Sequence, residues 1–105
     1  MKIIEKLSDM IEEELNDAEK YIECAMKVLE ENQALAETFY KLSTEEMQHM
    51  SYLHDQVTRI IEEYRKAKGD PPSDMMAVYN YIHKKHIAKA AEIKNLQMVY
   101  KAMPR

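Results

Sequence analysis

Three side chains suited to holding a metal, Glu14, Glu46 and His49, fall where helical periodicity calls for apolar residues. Projected at about 100° per residue, Glu14 lands in the sector of Leu7, Ala18, Tyr21 and Ala25, whereas Glu12 and Glu13 turn toward solvent. Glu46 lies near the centre of a second stripe, in line with Leu35, Phe39, Leu53 and Val57, and Glu45 sits about 100° off at its edge. His49 follows three residues after Glu46, one turn along on almost the same face, flanked by Leu42 and Ile60. The spacing predicts a Glu-x-x-His unit inside the core, facing Glu14.

Isolated buried carboxylates are costly and pairs of them repel, unless a cation neutralises them. Carboxylates and neutral imidazole suit iron or manganese, and a helix presents Glu and His three residues apart so that both approach one ion. Each residue also has a plainer reading: Glu14 could pair with a lysine or lie half exposed on a helix edge, and His49 could be a hydrogen-bonded core histidine. The three together on facing helices favour the metal.

Long helices must position these groups. A single Gly and three Pro among many Ala, Glu, Lys, Leu, Ile and Met residues leave little to interrupt them, so the expected class is all-α. Ile4, Leu7, Ile11, Leu15, Ala18, Ile22, Ala25 and Leu29 mark one stripe on a helix from about residue 2 to 31. After a break near Asn32 and Gln33, a second helix from about 34 to 67 carries Leu35, Phe39, Leu42, Met50, Leu53, Val57, Ile60, Ile61 and Tyr64. So short a connection predicts a long antiparallel two-helix hairpin. Gly69-Asp70-Pro71-Pro72-Ser73 ends the second helix, with Gly69 suited to a C-cap and Ser73 to capping the next. A third long helix, from about 74 to 102, carries Met75, Val78, Tyr79, Ile82, Ile93, Leu96 and Tyr100, and the whole chain reads as one domain.

The lone Cys24 has no partner for an internal disulfide and reads as a small packing residue. With no secretory core and no apolar run of bilayer length, the expectation is a soluble, cytoplasmic protein without membrane contact. The net charge of −4 argues against nucleic-acid binding, although it divides unevenly along the chain. Residues 1 to 64 hold 6 basic and 16 acidic side chains, while residues 65 to 105 hold 9 and 3. The acidic part could draw in cations, or the basic third segment could simply complement the acidic first two across a packed bundle. Lys84, Lys85, Lys89, Lys94 and Lys101 spread around their helix without forming a binding stripe. Nothing resembling a hydrolytic triad, a phosphate loop or a zinc finger is present.

At these positions the chain resembles the ferritin-like superfamily, in particular the bacterioferritin and rubrerythrin branch and the half-size encapsulated ferritins. Glu14-Leu15 with Tyr21 seven residues after Glu14 is similar to the first-helix metal motif, and Glu46-Met47-Gln48-His49 to the second. The resemblance covers about residues 4 to 64. It implies Glu14 as a terminal ligand, Glu46 as the bridging carboxylate, His49 as a nitrogen ligand and Tyr21 as a hydrogen-bonding partner with a catalytic role. The third helix has no second carboxylate and Glu-x-x-His set; its one central acid, Glu92, is followed three residues on by Asn95. A homodimer would therefore complete a ferritin-like four-helix site, with two irons (or manganese) per dimer, alone or in a ring of dimers. The implied activity is Fe(II) oxidation, a ferroxidase or peroxide-type chemistry. The alternative is a metal-free structural or interaction bundle whose buried polar groups fix register. Lys101-Ala102-Met103-Pro104-Arg105 lacks the short apolar cargo peptide of encapsulated ferritins, so an encapsulating shell has no support from the C-terminus.

Three further histidines lie outside this motif. His86, near the centre of the third stripe, is expected to be a buried histidine bonded to a backbone or tyrosine partner, with an extra ligand role as the alternative. His54 and His83 are expected at stripe edges, meeting solvent.

Overall fold

A computed structural model describes all 105 residues as three helices without strands: α1 (Lys2–Val28), α2 (Gln33–Lys68) and α3 (Ser73–Ala102). α1 ends about one turn earlier than its apolar stripe suggests, because the chain must reverse within four residues. The Glu31 and Asn32 amides both donate to the Val28 carbonyl, at 3.1 and 2.8 Å. Asn32 is extended (φ −154°), and its side chain accepts from the Leu35 amide at 3.0 Å, capping α2. At the far end of α2, Gly69 takes φ +84° and donates to the Arg65 carbonyl at 3.0 Å, the left-handed exit that glycine makes cheap.

Ser73 does not cap α3. Pro72, with ψ 134°, already stands at the cap position, so the helix starts at Ser73, and the Asp74 carboxylate accepts from the Met75 amide at 2.9 Å.

Most of the α1 stripe is buried as periodicity requires: Ile4, Ile11, Leu15, Ala18, Ile22, Ala25 and Leu29 lie in the core, whereas Leu7 is half buried and its neighbour Ser8 is buried. α2 differs. Its deepest line is Ala36, Ser43, Met47, Val57 and Ile61, about one position round from the expected centre, while Leu35 is exposed and Phe39, Leu42 and Leu53 are half buried. Small residues mark this line, since Ala36 and Ser43 are fully buried and the Ser43 hydroxyl reaches the α1 backbone at Ala18. Glu46 accordingly sits on a shoulder of the stripe, and not at its centre.

Ser43 joins all three helices. Its hydroxyl donates to the Ala18 carbonyl at 2.7 Å and accepts from the Gln97 amide nitrogen at 3.0 Å. α3 contributes Ile93 and Tyr100 to the interior, whereas Val78, expected in its stripe, is exposed. Polar contacts hold much of the rest of α3: Lys89 pairs with Glu19 at 2.7 Å, the Tyr100 hydroxyl donates to Glu37 at 2.9 Å, and Arg105 reaches Glu37 at 3.3 Å. The expected complementarity of basic and acidic segments is thus met at Glu19 and Glu37. The result is a rod of 56 × 18 × 18 Å in which no helix is long and apolar enough to cross a membrane.

α3 packs over one groove between α1 and α2, and the other groove stays uncovered. Ser43→Ala should lower stability by about 1–2 kcal/mol, because it removes two interhelical hydrogen bonds, one to the Ala18 carbonyl and one from the Gln97 side chain. Thermal melts would read this as a fall of roughly 4–16 °C for a domain of this size; an unchanged midpoint would show that the junction does not contribute.

Candidate metal centre

The two helices that flank the open groove run past each other so that positions advancing along α1 meet positions receding along α2. Ala18 meets Ser43, and Tyr21 stacks on Phe39 with ring centroids 6.3 Å apart. One turn before Ala18, this register puts Glu14 opposite Glu46 and His49. Nδ1 of His49 lies 3.2 Å from Oε2 of Glu14, within hydrogen-bond distance, and 3.6 Å from Oε1 of Glu46. One donor atom from each residue falls within 4.8 Å of the others, and no other group of three His, Cys, Asp or Glu side chains in the molecule does so.

The cluster is not inside the core of the single chain. The side chain of Glu46 is 18% exposed, that of Glu14 25% and that of His49 54%. α3 occupies the opposite groove, so nothing covers His49. Apolar side chains surround the cluster on the same face: Leu7, Phe39, Leu42 and Leu53 are half buried, and Ile3, Met10 and Leu35 are exposed. Two carboxylates and an imidazole therefore stand in the middle of an apolar, uncovered strip.

Proximity changes the acidity of this pair. Glu46 is raised from 4.5 to about 7, first by a side-chain hydrogen bond with Glu14, then by burial and by the Glu14 charge; Asp17 adds to the rise and His49 opposes it. The two carboxyl groups thus hold a proton between them near neutral pH. A divalent cation would take the place of that proton and gain both oxygens and Nδ1 of His49 as ligands. Three protein donors from one chain leave much of an iron or manganese coordination sphere to other ligands.

Tyr21 lies two turns along α1 on the same face and makes no hydrogen bond to Glu14, Glu46 or His49 within the chain; its ring contact is with Phe39. Cys24 is free and only partly buried. The remaining histidines depart from expectation. His54 and His83 do not simply meet solvent: both are partly buried and stack on each other with centroids 4.8 Å apart. His86 is largely but not fully buried, and its sealed Nε2 has neither a backbone nor a tyrosine partner. The signal in the sequence was His83-x-x-His86, the same one-turn spacing as Glu46 and His49.

No family model matches the chain, and no characterised protein or solved structure shows significant similarity to it. The functional reading therefore rests on the geometry of the site.

The acidity of Glu46 carries a signed consequence. Above pH 4.5 the unfolded chain releases this proton, while the native state keeps it up to about 7, so the group makes stability fall as pH rises through that window. With chelator present, wild-type stability should fall between pH 5 and 7 relative to Glu46→Gln, by on the order of 1 kcal/mol given partial solvent screening. Parallel pH profiles of the two proteins would refute a shared proton.

Proposed function

We propose that the chain is a ferritin-like di-metal carboxylate protein that binds Fe(II) and oxidises it at a site shared across a homodimer. The observation that carries this reading is the convergence of Glu14, Glu46 and His49 in the centre of an uncovered apolar face. One chain supplies two carboxylates and one imidazole. A two-fold copy of the antiparallel α1–α2 hairpin, laid face to face, would supply the same again and bury the strip of Met10, Leu35 and their neighbours. The sum, four carboxylates and two imidazoles around two metals, is the donor set of carboxylate-bridged bundles.

In this arrangement Glu46, the inner carboxylate, bridges the metals, Glu14 is a terminal oxygen ligand, and His49 gives Nδ1. Tyr21, on the same face, is the nearest phenol along α1 to pass a proton or electron. The two Fe(II) ions are the substrate: each loses one electron, and one peroxide with two protons becomes two waters, or dioxygen becomes peroxide. Manganese fits the same donors. Dimers could assemble further into rings.

One observation favours a second reading. Nδ1 of His49 already reaches both carboxylates, and a shared proton relieves their repulsion, so the cluster can be satisfied without a metal and serve only to fix register in a structural or interaction bundle.

Under the metal reading, purified protein has the native mass of a dimer or a multiple of it, takes up about two irons per dimer, and oxidises Fe(II) faster than buffer. Glu46→Ala loses both uptake and oxidation. Metal removal lowers the melting temperature by on the order of 10 °C where free metal stood near 100 times its Kd. No uptake and an unchanged melt would leave the structural reading. Leu35→Glu, placed on the open face of α2, should give a helical monomer that no longer oxidises iron; a dimer that survives this change would move the interface elsewhere.

A further inference from the structure

On the other side of the molecule, where α3 covers the α1–α2 pair, lies a partly open cavity of about 180 Å³ whose lining includes Ile11, Met50, Ser51, His54, His83 and His86. We propose that His54, His83 and His86 form a second cation site, one that takes a borderline first-row divalent ion such as Zn²⁺ in preference to Fe²⁺.

Three observations converge on it. His83 and His86 are one turn apart on the same face of α3, and His54 meets them from α2, so two elements deliver three imidazoles to one apolar-walled space. Nε2 of His86 is buried without a hydrogen-bond partner, although a polar atom sealed from water ordinarily has one. The Glu12 carboxylate stands 3.8 Å from that nitrogen, too far for a hydrogen bond but close enough to offset the charge of an ion beside it.

The protonation states suit ligands. Burial, followed by the neighbouring histidines, holds His83 below its ordinary value; burial also lowers His86, with Glu12 opposing and His54 adding. Both rings are therefore neutral at pH 7 and carry an available nitrogen lone pair. His54 and His83 now lie face to face, at an interplanar angle of 13°, so closing on an ion requires each ring to turn edge-on about χ2. His83 also stacks on Tyr79, with centroids 5.6 Å apart, and the donor atoms of the three histidines do not lie within 4.8 Å of one another, so binding requires the stacks to open and the rings to close in on the ion. An all-nitrogen donor set ranks Zn²⁺, Ni²⁺ and Cu²⁺ above Fe²⁺, in contrast to the oxygen-rich set of Glu14 and Glu46. The two sites use opposite grooves, so this one needs no second copy of the chain.

Calorimetric titration of Zn²⁺ into the full chain carrying Glu46→Gln separates the sites. The expected result is one Zn²⁺ per chain, with affinity weakened by at least roughly tenfold in His83→Ala and in His54→Gln and unaltered by His49→Ala. Histidine ring ¹⁵N spectra of the wild-type protein should show the resonances of His54, His83 and His86 moving on zinc addition, which keeps the test valid if a variant fails to fold. Absence of zinc binding in the Glu46→Gln protein, equal affinity in the histidine variants, or three unmoved ring signals at saturating zinc would overturn the proposal.

Discussion

The reversal between Val28 and Gln33 sets the axial register of α1 against α2, and every cross-helix contact described above depends on that register. Asn32 closes one helix by donating to Val28 and opens the next by accepting from Leu35, so the turn has no slack to redistribute. Ala18 then falls beside Ser43, and Glu14 falls beside Glu46 and His49. One added residue in α2 before Ser43 would turn the downstream helix by about 100° and move it by about 1.5 Å. Ser43 would lose the Ala18 carbonyl, and the carboxylates would no longer face each other.

α3 adds an asymmetry that two helices alone lack. It fills one groove with Ile93 and Tyr100 and fastens itself with Lys89 on Glu19 and with Tyr100 and Arg105 on Glu37. The groove it covers becomes the place for partly desolvated imidazoles. The groove it leaves open keeps the carboxylates in reach of solvent and framed by apolar side chains. A single helix placement thus creates two chemically different environments on one narrow rod.

The carboxylate pair is an energetic liability for the isolated chain. Bringing Glu14 and Glu46 together raises the pKa of Glu46 to about 7, so near neutral pH the contact lowers the stability of the native state, which must either hold a proton there or bear the repulsion. A fold that buries only 16 of 105 residues has little stability to spare for such a contact. This is the physical motive for seeking a cation between the two groups, because a cation removes the repulsion that the proton only relieves.

Periodicity was enough to place three helices, to find the buried apolar residues of α1 though not Ser8, and to separate Glu14 from Glu12 and Glu13 and Glu46 from Glu45, because a mismatch between residue type and helical angle is visible in one dimension. It was not enough for α2. The stripe of Leu35, Phe39, Leu42 and Leu53 is apolar but only half buried, and the true seam runs through Ala36 and Ser43, whose small size lets the helices approach. Nor did it place His49 at an open surface, pair His54 with His83, or leave His86 without a partner. The angle of a side chain around its own helix is written in the sequence, but which sectors a neighbouring helix covers depends on packing between elements distant along the chain. Tertiary structure alone decided that the carboxylates lie on the face α3 does not cover and the histidines on the face it does.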